Sequence, residues 1–207
     1  MNNIVVSIIG APSTGKTTLA KKVSSELGLV YVPEPARLLL SHSNVVWDQL
    51  TVCRMLYHMT KQAMRKAERE SLLGVFVDGP PISILIWTAL REPQSMDAVV
   101  RYINEHPIYC DLTLYSPLTE DTKMVYDGVR YDSLAERHTV DALFQLVRTS
   151  NSFHPVATLR GTLDQRTAAA QLSVSDLIYD AQHIVEPSRT PRWVFIPRTG
   201  ELSGDDL

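Results

Sequence analysis

The residue types best suited to chemistry are concentrated in a short glycine-containing stretch near the N-terminus. Residues 10–18 read GAPSTGKTT and satisfy the pattern G-x-x-x-x-G-K-[ST] in full. An apolar, β-branched run precedes the stretch and a helical pattern follows it, which is the context in which backbone N–H groups converge on phosphate oxygens. Nine residues are therefore predicted to bind the phosphates of a nucleoside triphosphate: Gly10, Ala11, Pro12, Ser13, Thr14, Gly15, Lys16, Thr17 and Thr18.

The residue types within this loop predict separate roles. Gly10 and Gly15 allow positive φ and a close approach of the backbone to an anion, and the helix beginning near Lys16 adds the positive end of its dipole. The Lys16 ammonium is expected to reach the β- and γ-phosphates, and the Thr17 hydroxyl to bind Mg²⁺. The pattern indicates triphosphate binding but leaves the fate of the phosphate open.

Two acids directly follow predicted strands. Glu34 lies between Pro33 and Pro35, which should hold it in an extended segment after the apolar run 29–32. Asp78 ends the apolar run 74–78 and fits a carboxylate that organises Mg²⁺ or contacts an acceptor hydroxyl. Because ligands collect at the carboxyl ends of parallel strands, both acids are expected beside the phosphate loop. A solvated loop acid is the alternative for Glu34.

Three arginines are candidates for contact with a nucleotide. Residues 117–138 are rich in charge and turn formers and predict a lid that closes over the phosphates and excludes water. Arg130 and Arg137 are candidates to neutralise charge there, and Arg166, after the last predicted strand, is a candidate for adenine stacking or phosphate contact. Solvated surface arginines are the alternative.

A basic stripe follows one face of the long helix predicted at residues 47–72. Its members recur at three- and four-residue steps, so they share a face: Arg54, His58, Lys61, Arg65 and Arg69. A solvated helix face is one interpretation, and a rim for an anionic substrate or a DNA backbone is the other.

The order of the elements predicts an α/β fold. Apolar runs indicate strands at 4–9, 29–32, 74–78, 111–115 and 156–159, and helical patterns separate them. A further edge strand is predicted at 192–196 and disorder at the C-terminus. At 207 residues, one domain is expected over residues 1–185, followed by a tail at 186–207.

Composition excludes several classes of protein. No apolar run is long enough to cross a bilayer, no signal peptide precedes the first strand, and two distant cysteines favour reduced core residues. A net charge of −3 gives no global attraction to nucleic acid or membrane. We therefore expect a cytoplasmic protein that is a monomer or a homodimer.

The arrangement resembles the P-loop nucleoside and nucleotide kinases over residues 4–180. Residues 10–18, the segment VPEPAR at 32–37 and the segment DGVR at 127–130 together resemble the nicotinamide-riboside kinase domain of the bacterial NAD-synthesis regulator and its AAA-type relatives. These relatives include phage kinases that phosphorylate 5-hydroxymethyluracil in DNA, and the resemblance implies a location in the host cytoplasm if the protein is phage-encoded. The resemblance implies a three-layer sandwich, with a five-stranded parallel sheet ordered 2-3-1-4-5 between helices.

The same resemblance implies roles for individual residues. Glu34 would take the proton from the acceptor hydroxyl, and Arg37 and Asp127 would contact the substrate. The family commonly has an arginine directly after the third-strand acid, whereas Gly79 follows Asp78 here. This departure argues against a charged phosphate on the acceptor.

The sequence thus predicts an ATP- and Mg²⁺-dependent kinase acting on a hydroxyl of a nucleoside-like acceptor. The acceptor is either a free nucleoside or a hydroxymethylated base in DNA. The basic stripe favours the second and the net charge favours the first. An ATPase or triphosphate-driven switch is an alternative, although the chain has no N-K-x-D element. A non-catalytic nucleotide-binding module is a third, and the presence of both Lys16 and Thr17 argues against it.

Overall fold

The computed structural model describes residues 3–41, 47–119, 133–149 and 156–183. Strands and helices alternate along these ranges. The strands are β1 (Ile4–Ile9), β2 (Leu29–Val32), β3 (Gly74–Asp78), β4 (Leu112–Tyr115) and β5 (Val156–Thr158). The α-helices are α1 (Lys16–Leu27), α2 (Pro35–Leu40), α3 (Gln49–Arg69), α4 (Pro81–Arg91), α5 (Met96–Glu105), α6 (Leu134–Thr149) and α7 (Leu163–His183), with a 3-10 turn at Pro93–Ser95.

The five strands form one parallel sheet in the order β2-β3-β1-β4-β5. This confirms the predicted fold class and strand order. β1 is buried along its whole length and is apolar except for Ser7, as expected for a central strand of a sheet that is covered on both faces. Its register aligns Ile8 with Asp78, so the phosphate loop after β1 and the acid at the end of β3 emerge at the same edge.

Helices cover both faces of the sheet. On one face, α1 and α7 bury apolar side chains such as Leu19, Val23 and Val174 against the central strands. On the other face, α3, α4 and α5 pack Leu56, Ile84 and Val99 against β2 and β3. The result is the three-layer arrangement predicted from the sequence. Both cysteines are buried and free, also as expected.

Local capping explains where several elements begin and end. Gly28 ends α1 with φ 66°, a left-handed conformation that its missing Cβ permits, and its N–H donates to the Ser24 carbonyl. Asp48 caps α3 by accepting a 2.7 Å hydrogen bond from the Thr51 N–H, so this helix begins at Gln49 rather than at the predicted residue 47. The helix ends at Arg69, before the predicted residue 72. The short helix α2, which begins with Pro35, is not predicted from the sequence.

Two further predictions concern strands, namely the start of β4 and an additional edge strand. β4 begins at Leu112 rather than at residue 111, because the Asp111 carboxylate turns back to accept the Val5 N–H at 2.8 Å. The proposed edge strand at 192–196 and the tail lie outside the described residues. In the parts of the chain that the structure describes, no helix combines the length and apolarity needed to cross a membrane.

Candidate active site

The predicted phosphate loop connects β1 to α1 and has the backbone conformation of an anion cradle. Gly10, Ser13 and Gly15 have φ of 144°, 62° and 80°. A Cβ at Gly10 would collide with the Ser116 carbonyl, so this position requires glycine. The Thr14 hydroxyl and the Lys16 ammonium donate to the Ala11 carbonyl at 2.9 and 2.7 Å, which closes the loop on itself.

Helix α1 presents its N-terminus to this loop. Gly15 occupies the N-cap position in a left-handed conformation and provides no side-chain cap. The N–H groups of the first turn therefore lack the partner that a capping side chain would supply. Together with the helix dipole, these donors make the loop suitable for phosphate oxygens.

Asp78 lies at the end of β3, next to the start of α1. The Thr17 hydroxyl donates to Asp78 Oδ2 at 2.6 Å, and the Tyr31 hydroxyl donates to the same oxygen at 3.1 Å. Asp78 is only 1% exposed, and its Oδ1 is buried without a hydrogen-bond partner among the described residues. The structure therefore brings together the two predicted metal ligands and leaves one carboxylate oxygen available.

Burial raises the pKa of Asp78, and the negative charge of Glu34 raises it further. The hydrogen bond from Thr17 and the charge of Lys16 act in the opposite direction. Burial and the nearby Asp78 also raise the pKa of Tyr31 well above its usual range, so its hydroxyl remains a donor. Burial and the charge of Glu34 thus destabilise the anionic form of Asp78, and a bound cation would stabilise it.

A pH-dependent effect on stability follows from this raised pKa. Between the unfolded pKa of about 3.9 and the higher folded value, the folded protein binds more protons than the unfolded chain. The free energy of unfolding therefore falls as pH rises through this window. Asp78→Asn should remove this fall, so its stability relative to wild type should increase from pH 4 to pH 8 in metal-free buffer. Thermal unfolding across that pH range measures the difference.

The pH dependence is more informative than the absolute stability of this variant. The amide introduced by Asp78→Asn replaces a buried carboxylate oxygen with a buried donor. This change lowers the free energy of unfolding by an amount that does not depend on pH. Asp164→Asn is the matched control, because Asp164 is an exposed carboxylate paired with Lys22 at 3.2 Å. A stability difference between Asp78→Asn and wild type that is constant with pH would contradict the assignment.

Glu34 lies at the same edge of the sheet as Asp78. It is the N-cap of α2 in an extended conformation, and Pro35 begins that helix. Its Cγ would be 3.2 Å from a Cβ at Gly79, so the side chain packs over the loop after β3. The structure therefore brings Glu34 and Asp78 together, and Glu34 is half-buried rather than a solvated loop acid.

Arg137 of α6 and Arg166 of α7 also contact the phosphate loop. Arg137 is 1% exposed, its Nε donates to the Pro12 carbonyl at 3.1 Å, and its Nη2 has no hydrogen-bond partner among the described residues. Arg166 Nη1 donates to the Thr14 carbonyl and, at 2.9 Å, to the Ser116 hydroxyl. Both guanidinium groups thus bind loop carbonyls rather than projecting into solvent, and an adenine contact for Arg166 stays a prediction.

The remaining predicted site residues are only partly described. Arg130, Asp127 and most of the predicted lid at 117–138 lie outside the described residues, and residues 134–138 belong to α6. Arg37 is half-buried in α2, and its charge acts on Tyr31, so it lies near the pair of acids. Its contact with a substrate stays a prediction.

A cavity opens beside Glu34, between α2, α3 and α4. Its apolar wall includes Trp47 and Trp87, and its polar lining consists of Glu34, Gln49, Ser83 and Arg91. The Arg91 guanidinium lies 4.5 Å from the centre of the Trp87 ring. Trp87 packs against an apolar core cluster and also borders this cavity. The enclosed volume is about 30 Å³, which is room for about two water molecules.

The basic stripe divides into two parts. Arg54 and Lys61 lie over the rings of Tyr102 and Tyr57, at 5.9 and 5.6 Å from the ring centres. Arg65 and Arg69 instead line a groove beside β2. All five side chains are exposed, and the role of the stripe as a rim for an anionic substrate or a DNA backbone stays a prediction.

Sequence reasoning missed Tyr31 and the cavity lining. Tyr31 lies in a predicted strand, and only its polar hydroxyl could have suggested a role. Its partner Asp78 is 47 residues away in the chain. Gln49 and Ser83 lie near the starts of two helices, and no motif marks them.

Comparisons with known proteins agree with this geometry. The sequence matches the family AAA_28, described as an AAA domain, over residues 5–166. No curated protein sequence matches the chain. Similar solved structures include deoxyadenosine kinase from M. mycoides with dCMP and dCDP bound (TM-score 0.60, 13% identity, covering 84% of this chain and 100% of that one). Thymidylate kinase from Candida albicans is also similar (TM-score 0.58, 16% identity, covering 87% of this chain and 93% of that one).

A third similar structure is the NadR protein in complex with NR (TM-score 0.65, 21% identity, covering 85% of this chain and 52% of that one). This chain therefore spans about half the length of that protein. At these identities the structural likenesses establish the fold. The family match covers most of the chain and includes the phosphate loop, both acids and Arg166. The chain therefore belongs to the AAA_28 family of AAA domains and has the fold of the P-loop nucleoside and nucleotide kinases.

Proposed function

We propose that this protein is an ATP- and Mg²⁺-dependent kinase that transfers the γ-phosphoryl group to a hydroxyl of a nucleoside-like acceptor. The observation that carries the proposal is the convergence of Thr17, Asp78 and Glu34 at the end of the phosphate loop, next to a cavity that Glu34 borders. A triphosphate site with two acids, one of them facing a separate cavity, suits transfer to a second substrate.

Phosphate binding and charge neutralisation are assigned to the loop, to Lys16 and to two arginines. The N–H groups of the loop and of the first turn of α1 would hold the phosphate oxygens, and Lys16 would reach the β- and γ-phosphates. Arg137, whose buried Nη2 has no partner among the described residues, would neutralise charge that develops on the transferred group. Arg130, the other arginine of the predicted lid, is proposed for the same role.

The residues around Asp78 fit Mg²⁺. The donors are a hydroxyl from Thr17 and a carboxylate oxygen from Asp78, both hard ligands. No cluster of three or more His, Cys, Asp or Glu side chains occurs among the described residues, so the protein offers few ligands of its own. This suits Mg²⁺, which retains waters and binds substrate phosphates. When bound, the ion would neutralise charge on the β- and γ-phosphates.

Glu34 is assigned as the general base for the acceptor hydroxyl. It is rigidly placed by two prolines, is half-buried and lines the cavity, whereas Asp78 is engaged by Thr17 and Tyr31. A base must lie within hydrogen-bond reach of the proton that it removes. A hydroxyl at the mouth of the cavity would meet Glu34 before it met Asp78.

The cavity lining supports a nucleoside-like acceptor. The indole rings of Trp47 and Trp87 offer faces for a planar base, and Gln49 and Ser83 offer hydrogen bonds to its edge. At about 30 Å³ the cavity must widen before a base can enter. The similar kinases that bind dCMP or NR in their structures also favour a nucleoside. A hydroxymethylated base in DNA remains the second acceptor in the proposal.

A panel of acceptors tests this function. The protein is incubated with γ-labelled ATP, with and without Mg²⁺, together with free nucleosides, nicotinamide riboside, unmodified DNA and DNA containing 5-hydroxymethyluracil. We expect Mg²⁺-dependent labelling of one acceptor class, with little label released as free phosphate. Labelled phosphate that forms at the same rate with every acceptor or with none would instead identify an ATPase.

A further inference from the structure

A groove runs beside the edge strand β2, outside the site described above. Its volume is about 510 Å³, within the range of roughly 300–1,000 Å³ that is usual for small-molecule sites. It is bounded by β2 and the residue after it, and by the C-terminal half of α3. The lining residues are Tyr31, Val32, Pro33, Met59, Gln62, Ala63, Arg65, Lys66 and Arg69.

The charged side chains lie together at one end of this groove. Lys66 pairs weakly with Glu70 at 4.0 Å, and neither Arg65 nor Arg69 has a carboxylate partner in the described part of the chain. Unpaired guanidinium groups side by side on a helix repel one another and favour a shared anion, and their planar donors match phosphate oxygens. This end of the groove therefore suits a phosphate group.

The other end of the groove is largely apolar and lies toward the active-site edge of the sheet. Pro33 immediately follows β2, and Met59 lies one to three turns of α3 before the cations. An apolar end and a cationic end, separated along one helix, match a ligand that carries a phosphate at one end of a less polar body. A nucleoside phosphate has this chemistry.

Two groove residues also touch the candidate catalytic acids. Tyr31 is part of the groove wall, but its ring packs on the other face of the sheet, where Lys21 of α1 lies over it, and its hydroxyl donates to Asp78 Oδ2 at 3.1 Å. Pro33 lines the groove and directly precedes Glu34. A ligand that shifts either residue would therefore change the position of a carboxylate at the active site.

We propose that this groove is a second binding site for a small phosphate-bearing ligand of the nucleoside mono- or diphosphate class, and that its occupancy acts on the active site through Tyr31. The coupling to the active site rests on the proposed kinase function, whereas the binding of the ligand in the groove does not. The groove volume and the net charge of −3 favour a small ligand over a nucleic-acid strand.

Calorimetric titration with pyrophosphate and with CMP tests the binding site. A non-hydrolysable ATP analogue and Mg²⁺ are kept saturating, so that the phosphate loop is occupied. The double variant Arg65→Ala/Arg69→Ala should weaken binding by at least about tenfold, because two charge-assisted contacts are lost. Arg54→Ala/Lys61→Ala removes the same charge from the same helix but outside the groove, and should change affinity by no more than about twofold. Equal losses in the two double variants would overturn the site.

Two further titrations distinguish this groove from the phosphate loop and a small ligand from a nucleic acid. Lys16→Ala should leave binding in the groove unchanged, so a failure of the kinase proposal does not affect this result. If CMP and pyrophosphate do not bind but a short oligonucleotide does, and Arg65→Ala/Arg69→Ala abolishes that binding, the small-ligand proposal is wrong and the groove belongs to a nucleic-acid strand.

The coupling is tested with Tyr31→Phe, which keeps the ring but removes the hydroxyl that contacts Asp78. In the wild-type protein, CMP binding should shift the Mg²⁺ dependence of phosphoryl transfer by at least about twofold. In Tyr31→Phe, CMP should bind with unchanged affinity and no longer shift that dependence. An equal shift in the two proteins, or none in wild type, would show that Tyr31 does not couple the sites.

Discussion

Glu34→Gln is expected to lower kcat for phosphoryl transfer by roughly 10²- to 10⁴-fold, the usual range for loss of a general base. Glutamine retains the shape that packs over Gly79 but cannot accept the acceptor proton. The Mg²⁺ dependence should not move to higher concentration, because removing the Glu34 charge removes one of the effects that raise the pKa of Asp78. Steady-state kinetics measures kcat, and Mg²⁺ titrations measure the metal dependence.

Asp78→Asn is the comparison variant for this prediction, because it alters the other acid at the same edge. It should shift the Mg²⁺ dependence to higher concentration and lower the rate as well, since it weakens one of the two hard donors. If Glu34→Gln shifts the Mg²⁺ curve and Asp78→Asn does not, the two roles are reversed and Asp78 is the base.

Lys16→Ala is expected to reduce phosphoryl transfer by at least about a hundredfold while the fold persists. The Lys16 ammonium lies at the phosphate loop and is not part of the apolar core, so its loss removes transition-state charge stabilisation without opening a cavity. Transfer rates and thermal unfolding of the same preparation measure both expectations.

Lys22→Ala provides the matched control for this loss of charge. Lys22 lies on the same helix, α1, and its only described ion pair is an exposed one with Asp164 at 3.2 Å. Exposed pairs of this kind contribute little to stability. The control should keep its activity, and near-normal turnover of folded Lys16→Ala would mean that the loop is not the catalytic site.

The phosphate loop and the strands were predictable because their signals are local. The loop pattern, the apolar run before it and Gly28 after α1 each specify a backbone conformation within a few residues. The strand order followed from the resemblance to P-loop kinases rather than from these patterns, and the register of β1 with β3 confirms that the loop and Asp78 share an edge.

The parts of the site that escaped prediction depend on contacts between distant segments. The six residues of α2 are too few to show a helical period. The sequence around Trp87 gives no sign that this side chain borders a cavity. Arg137 was expected on a lid, and its burial against the Pro12 carbonyl involves a partner 125 residues away. The domain limits and the roles of Arg130 and Asp127 stay predictions.

The ratio of phosphorylated acceptor to ADP formed is the most direct test of the proposed phosphoryl transfer. With the acceptor that the labelling panel identifies, Mg²⁺ present and γ-labelled ATP, the account predicts about one phosphorylated acceptor per ADP, and neither product above background in Lys16→Ala. Formation of ADP and free phosphate without a labelled acceptor would contradict it, because the chain would then hydrolyse ATP rather than transfer its phosphoryl group.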